Sequence, residues 1–152
     1  MASVLEKLNY KGQTEILVIN APSSFESELA RLTGVVVRRT VDDIAEISFS
    51  LAFVTQQKEV DAIARAVTAK AKGDAIVWFA YPKGTSKRYR CDFNRDTGWA
   101  VLGAAGFEGV RLIAIDEDWS AMRFRRAELI KSMRRDPRRA MSAAGKKKVA
   151  GK

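Results

Sequence analysis

Histidine is absent from all 152 residues, and that gap removes whole classes of chemistry. Without imidazole there is no Ser-His or Cys-His nucleophile pair, no histidine proton relay and no imidazole zinc ligand. Cys91 is the one thiol, so no internal disulfide forms and a reducing cytoplasm is the expected compartment. No apolar run approaches the ~18 residues that cross a bilayer, so no membrane partner is expected. Met1-Ala2-Ser3-Val4-Leu5-Glu6-Lys7 lacks the layout of a signal peptide. Glycine is missing where a nucleotide-binding turn uses it. Asn20-Ala21-Pro22-Ser23-Ser24 follows the first apolar run without one, and Pro22 removes a backbone donor. Gly84-Thr85-Ser86-Lys87 has neither the order nor the spacing of a phosphate-binding loop.

Charge is plentiful but unevenly placed. Residues 1–122 hold 15 Lys and Arg against 16 Asp and Glu, whereas residues 123–152 hold 12 against 2. A near-neutral body with a basic appendage is the expected organisation: one domain over 1–126, then a tail over 127–152. In that tail Leu129, Ile130 and Met133 dock a helical turn or two, Asp136-Pro137 ends it, and the remainder is disordered.

Within the body, hydrophobic periodicity alternates between strand and helix. Glu15 to Ile19 is a short, nearly continuous apolar run, the mark of a strand buried on both faces. Ser23 to Glu26 reads as a capping box opening a helix with Phe25, Leu29 and Leu32 inward and Gly34 as its stop. Val35–Arg39 and Ile47–Val54 read as strands. Val60, Ile63, Ala64, Val67 and Ala71 line one face of a helix that Gly73-Asp74 closes. Ala75–Tyr81 is the strongest strand, stopped by Pro82. A helix capped by Asp92 or Asn94 runs to Gly106, carrying Trp99 and Leu102 inward. Val110–Ile115 and Trp119–Phe124 flank Asp116-Glu117-Asp118 as a hairpin, and turn chemistry accounts for those three acids without a metal. Cys91 reads as a small strand residue, and Trp78 as core. Trp99 and Trp119 read as core or as walls of a site. The expected fold is a three-layer α/β sandwich with a mostly parallel, doubly wound sheet ending in an antiparallel hairpin.

Ligands of such sheets sit at the carboxyl ends of the strands. Three polar segments are expected there. They supply Asn20 and Ser23, then Lys83, Ser86 and Lys87, then Asn94, Arg95 and Asp96. Lys83, Lys87 and Arg95 suit an anionic group on a small molecule, and Asn20 and Asn94 its orientation. The tail offers a second, separate partner. Arg134, Arg135, Arg138, Arg139, Lys146, Lys147 and Lys148 suit non-specific nucleic acid through counterion release. No aromatic follows Phe124 to stack a base.

Several segments together resemble a known family. These are Leu8-Asn9-Tyr10-Lys11-Gly12, Ile16 to Pro22, Val77 to Lys83, Asp92 to Asp96 with Gly98-Trp99, and Ala114 to Phe124. From about Leu5 to Arg126 the chain resembles a small bacterial family known as a domain of unknown function. Its layout is also similar to the class I methyltransferase fold, in which a parallel sheet ends in an antiparallel hairpin and a glycine turn precedes a central strand, as Gly73 does here. That resemblance implies S-adenosylmethionine, which the missing glycine motif argues against. The expectation is therefore a non-catalytic binding or regulatory module without a cofactor. The alternatives are nucleic-acid association through the tail and a methyltransferase-like enzyme with a nucleotide-like cofactor.

Overall fold

The computed structural model describes residues 4–87, 89–92 and 98–129. A short helix α1 (Val4–Lys7) precedes β1 (Glu15–Ile19), α2 (Ser23–Leu29) and β2 (Val36–Arg38). A 3₁₀ turn (Val41–Asp43) leads to β3 (Ile47–Phe53), α3 (Gln57–Lys70) and β4 (Ala71–Pro82). Then follow α4 (Ala100–Ala104), β5 (Phe107–Ala114), β6 (Trp119–Arg126) and a second 3₁₀ turn (Ala127–Leu129). The strands form one sheet in the order β2-β1-β3-β4-β6-β5. β2, β1, β3 and β4 are parallel, and β6 and β5 close the sheet antiparallel. This is the three-layer α/β architecture with a terminal hairpin.

Side-chain alternation explains why both faces are covered. In β4, Ile76, Trp78 and Ala80 belong to one core with Leu5 and Leu8 of α1 and Phe25 and Leu29 of α2. Val77, Phe79 and Tyr81 belong to the other, with Val60, Ala64 and Val67 of α3 and Leu102 of α4. A strand whose successive residues all face apolar neighbours must be apolar throughout, which is what the Ala75–Tyr81 run encodes. Burial of each large side chain contributes about 1.5–3 kcal/mol. Trp78 is buried with its indole N–H donating to the Leu8 carbonyl at 2.7 Å, so its one polar atom is satisfied.

Several boundaries differ from expectation for physical reasons. Ser23 does not cap α2: Pro22 occupies that position, and the Glu26 carboxylate turns away to grip Arg39 at 2.7 and 2.8 Å. That guanidinium holds Glu26 below the usual carboxylate range, chiefly by hydrogen bonding. A capping box does form at α3, where Gln56 and Glu59 satisfy each other's backbone donors. Gly73 does not terminate α3. The chain passes from helix to strand at Ala71, and Gly73 lies within β4 at φ +55°, where the β3–β4 register shifts between Ile47 and Phe49. A left-handed residue lets the extra β4 residues bulge out of the ladder. α4 has five residues and begins at Ala100, and Asp92 serves α3 instead.

Candidate functional site

The chain leaves β1 toward β2 on one side and then returns to β3 on the other. That reversal opens a crevice at the carboxyl ends of β1 and β3, the position where open α/β sheets receive ligands. Asn20 ends β1 with φ +57°. Asparagine enters this left-handed region more readily than other residues bearing a Cβ, so it makes the tight turn that glycine makes elsewhere.

The crevice is lined by a connected set of polar groups. Asn20 Nδ2 donates to the Phe53 carbonyl at 3.4 Å and to Glu59 Oε2 at 3.5 Å. Glu59 Oε1 accepts from the Thr55 amide at 2.9 Å, the Thr55 hydroxyl at 3.1 Å and the Gln56 amide at 3.1 Å. Oε1 is thus saturated, while Oε2 holds one long bond and has lone pairs to offer. A carboxylate at a helix start is favoured by the exposed amides there. Behind it, the Gln57 amide donates to Asp92 Oδ1 at 2.6 Å, and Gln57 Nε2 donates to Asp61 at 3.0 Å and to the Gly98 carbonyl at 2.9 Å. The start of α3 is therefore held from three directions.

The second expected segment lies two strands away along the same edge, about 10 Å at ordinary strand spacing. The Lys83 amide donates to the Asp118 carbonyl at 2.8 Å, and the Ser86 hydroxyl donates to Asp118 Oδ1 at 2.8 Å. Asp116 Oδ1 accepts from the amides of Asp118 and Trp119 at 2.8 and 2.9 Å, which is the turn role expected of it. The loop carrying Lys83 and Lys87 is thus fastened to an acidic turn, and Ser86 is engaged there. Ser23 is exposed at the start of α2. Asn94, Arg95 and Asp96 lie outside the described residues, as do tail residues Arg134, Arg135, Arg138, Arg139, Lys146, Lys147 and Lys148.

Between the two segments runs a row of rings. Phe25 meets Phe53 at 5.2 Å, Phe53 meets Trp119 edge-on at 5.0 Å, and Tyr89 tilts over Trp119 at 4.8 Å. Trp99 belongs to the opposite face, against Phe79, Tyr81 and Phe124. Both tryptophans are buried. Glu59, Thr55 and Tyr89 were not among the expected site residues. The Gln56-x-x-Glu59 spacing at the head of an amphipathic run was the available signal.

No protein-family model matches the chain, and no curated protein matches it in sequence. In three dimensions the chain is similar to the N-methyltransferase NodS from Bradyrhizobium japonicum WM9. The identity is 13%, 80% of this chain and 92% of that one are covered, and the TM-score is 0.51. It is also similar to LepI in complex with SAM, at 11% identity over 80% of this chain and 38% of that one, with a TM-score of 0.50. At such identities the likeness establishes a methyltransferase-like, Rossmann-like fold.

That likeness corrects the expectation of a non-catalytic module without a cofactor. The layout is shared with an N-methyltransferase and with a protein bound to SAM, so the enzyme alternative replaces it. The argument from missing glycine failed because it equated a residue with a conformation. The left-handed turn after β1 is present, and Asn20 makes it. Among the described residues no helix is long and apolar enough to cross a membrane.

Proposed function

We propose that the chain is a methyltransferase-like enzyme that takes S-adenosylmethionine in the crevice between the ends of β1 and β3. The observation that carries this reading is the left-handed Asn20 turn facing Glu59 at the point where the strand order reverses. The fold likeness to NodS supports it. The chemistry of the donor set fits the group: the described polar side chains of the crevice are Asn20, Thr55, Gln56 and Glu59, with a carboxylate and no lysine. A carboxylate suits a ligand that carries cationic ammonium and sulfonium centres.

When bound, the cofactor supplies an activated methyl group. The chain's own residues hold and orient. The Asn20 turn lets backbone approach the ligand closely, and Glu59 Oε2 receives a hydroxyl or ammonium proton. The row Phe53–Trp119–Tyr89 keeps water from one side of the edge. In this reading residues 1–126 are one domain working in the cytoplasm, 127–152 are a basic appendage, and Lys83 and Lys87 face the acceptor side.

Calorimetric titration of the full chain with S-adenosylmethionine and its demethylated product tests this. Saturable one-to-one binding is expected, weakened at least roughly tenfold in Glu59→Ala, the loss of about one charge-assisted bond. Asn20→Gly should bind as the wild type does. Absence of heat and of any thermal shift with either ligand, from a cooperatively melting protein, would sink the reading.

A further inference from the structure

A second charged cluster lies outside the crevice, on the β5–β6 hairpin. Strand register places Arg111 directly opposite Arg123. Facing side chains of an antiparallel pair have Cβ atoms about 5 Å apart, and like charges there are destabilising. No described residue makes an ion pair or hydrogen bond with either guanidinium. Arg123 Nε is fully buried without a partner. The nearest carboxylate, Asp74, is taken by Arg125, whose Nε and Nη2 donate to it at 2.8 and 2.7 Å.

An arginine fork carries five donors in one plane and matches phosphate oxygens two at a time. Two forks side by side with unfilled donors therefore define a site for a phosphate group. Burial pushes the Arg123 guanidinium below its ordinary value, and the charges of Arg125 and Arg111 push the same way against the pull of Asp74. A bound phosphate would relieve both effects.

We propose that Arg111 and Arg123 clamp a backbone phosphate of a nucleic acid. The polyanion is favoured over a free anion because of what the chain does next. From Arg123 to Lys152 it carries 12 basic residues against 2 acidic ones, leading directly out of β6. A lone phosphate needs one clamp, whereas a backbone repeats the charge along the whole basic segment. Recognition of this kind positions the nucleic acid without reading its sequence.

Fluorescence polarisation of a short labelled DNA duplex of arbitrary sequence, titrated with the full chain over a salt series, tests the clamp. The double variant Arg111→Gln/Arg123→Gln is compared with Arg31→Gln/Arg65→Gln, which removes the same charge from exposed positions on α2's exit and α3. The clamp variant should melt at or above the wild-type temperature and bind the duplex roughly tenfold more weakly. Its slope of log affinity on log salt should be shallower by about two, one unit per lost phosphate contact. The control should change binding by less than about twofold at the same salt. Equal weakening in both variants would reduce the clamp to bulk charge and overturn it. Inorganic phosphate raising the melting temperature through these arginines, with duplex binding untouched, would overturn the nucleic-acid source in favour of a small anion. Phosphatidylserine vesicles captured through the same arginines, with duplex ignored, would overturn it in favour of a membrane surface.

Discussion

Glu59 and Arg123 are both partly buried charged side chains of the same α/β layer structure, yet their surroundings differ in kind. Glu59 Oε1 accepts three hydrogen bonds at the start of α3, and Asn20 reaches its other oxygen. Arg123 faces another arginine, and its Nε finds no partner. The first arrangement stabilises the fold: a carboxylate meets orphan amides and the positive end of a helix. The second opposes it, because like charges meet and a donor is buried unmet. A residue that works against stability points to a task other than folding, and a residue that works for stability can serve both.

The largest expected effect breaks the comparison on its stable side. Glu59→Ala removes the acceptor for two backbone amides and a hydroxyl at one stroke, and should cost about 2 kcal/mol in urea unfolding. Glu59→Gln, which keeps an acceptor oxygen, should recover about half of that. A Glu59→Ala protein as stable as the wild type would show that water replaces the carboxylate freely.

Next comes the turn beside it. Asn20→Val forces a β-branched side chain into the left-handed region and should cost about 1–2 kcal/mol, whereas Asn20→Gly should stay within a few tenths of wild type. Equal stability of the two variants would mean that the turn is not left-handed in solution.

That position also shows how far the residues alone can be read. The apolar runs at Ile16, Phe49 and Val77 announced strands because burial on two faces demands it, and the hairpin followed from its acidic turn. Helix α3 was legible from the spacing of Val60, Ala64 and Val67. The crevice was less so. Asn20 was in view, but its conformation depends on tertiary closure of the turn, which residue type does not reveal. Glu59 was hidden inside a helix-start pattern, since capping and ligand binding use the same atoms. Ser23 was misjudged because Pro22, with its fixed φ, can end the loop where a serine would otherwise cap. The facing of Arg111 and Arg123 depends on register across an irregularity between Gly109 and Arg111, and no local pattern encodes that.

On the opposed side of the comparison, Arg123→Met should leave the protein more stable, by up to about 1 kcal/mol, because the stem's packing is kept while the unmet donor and the repulsion go. Chemical denaturation in a phosphate-free, low-salt buffer reads this directly. A clear loss of stability would mean that Arg123 has a satisfying partner in solution and is not held against the fold.

The smallest effect separates Arg123 from its neighbour Arg125. Asp74 sits below the usual aspartate range because Arg125 hydrogen-bonds it, while Arg125 is raised in return. A carboxylate whose folded value is depressed contributes its stability above the unfolded value, about pH 4, and loses it as pH falls through the lower folded value. Both side chains are more than a third exposed, 43% and 35%, so solvent screening leaves only a few tenths of a kcal/mol. Asp74→Asn should accordingly lower stability slightly at pH 7 and show a shallower decline than wild type between about pH 4 and pH 2. It should also leave Arg125 joining Arg111 and Arg123 as a third unneutralised cation, so the variant should bind a short DNA duplex more tightly than wild type at low salt. Unchanged or weaker duplex binding in Asp74→Asn would place the clamp somewhere other than this face of the hairpin.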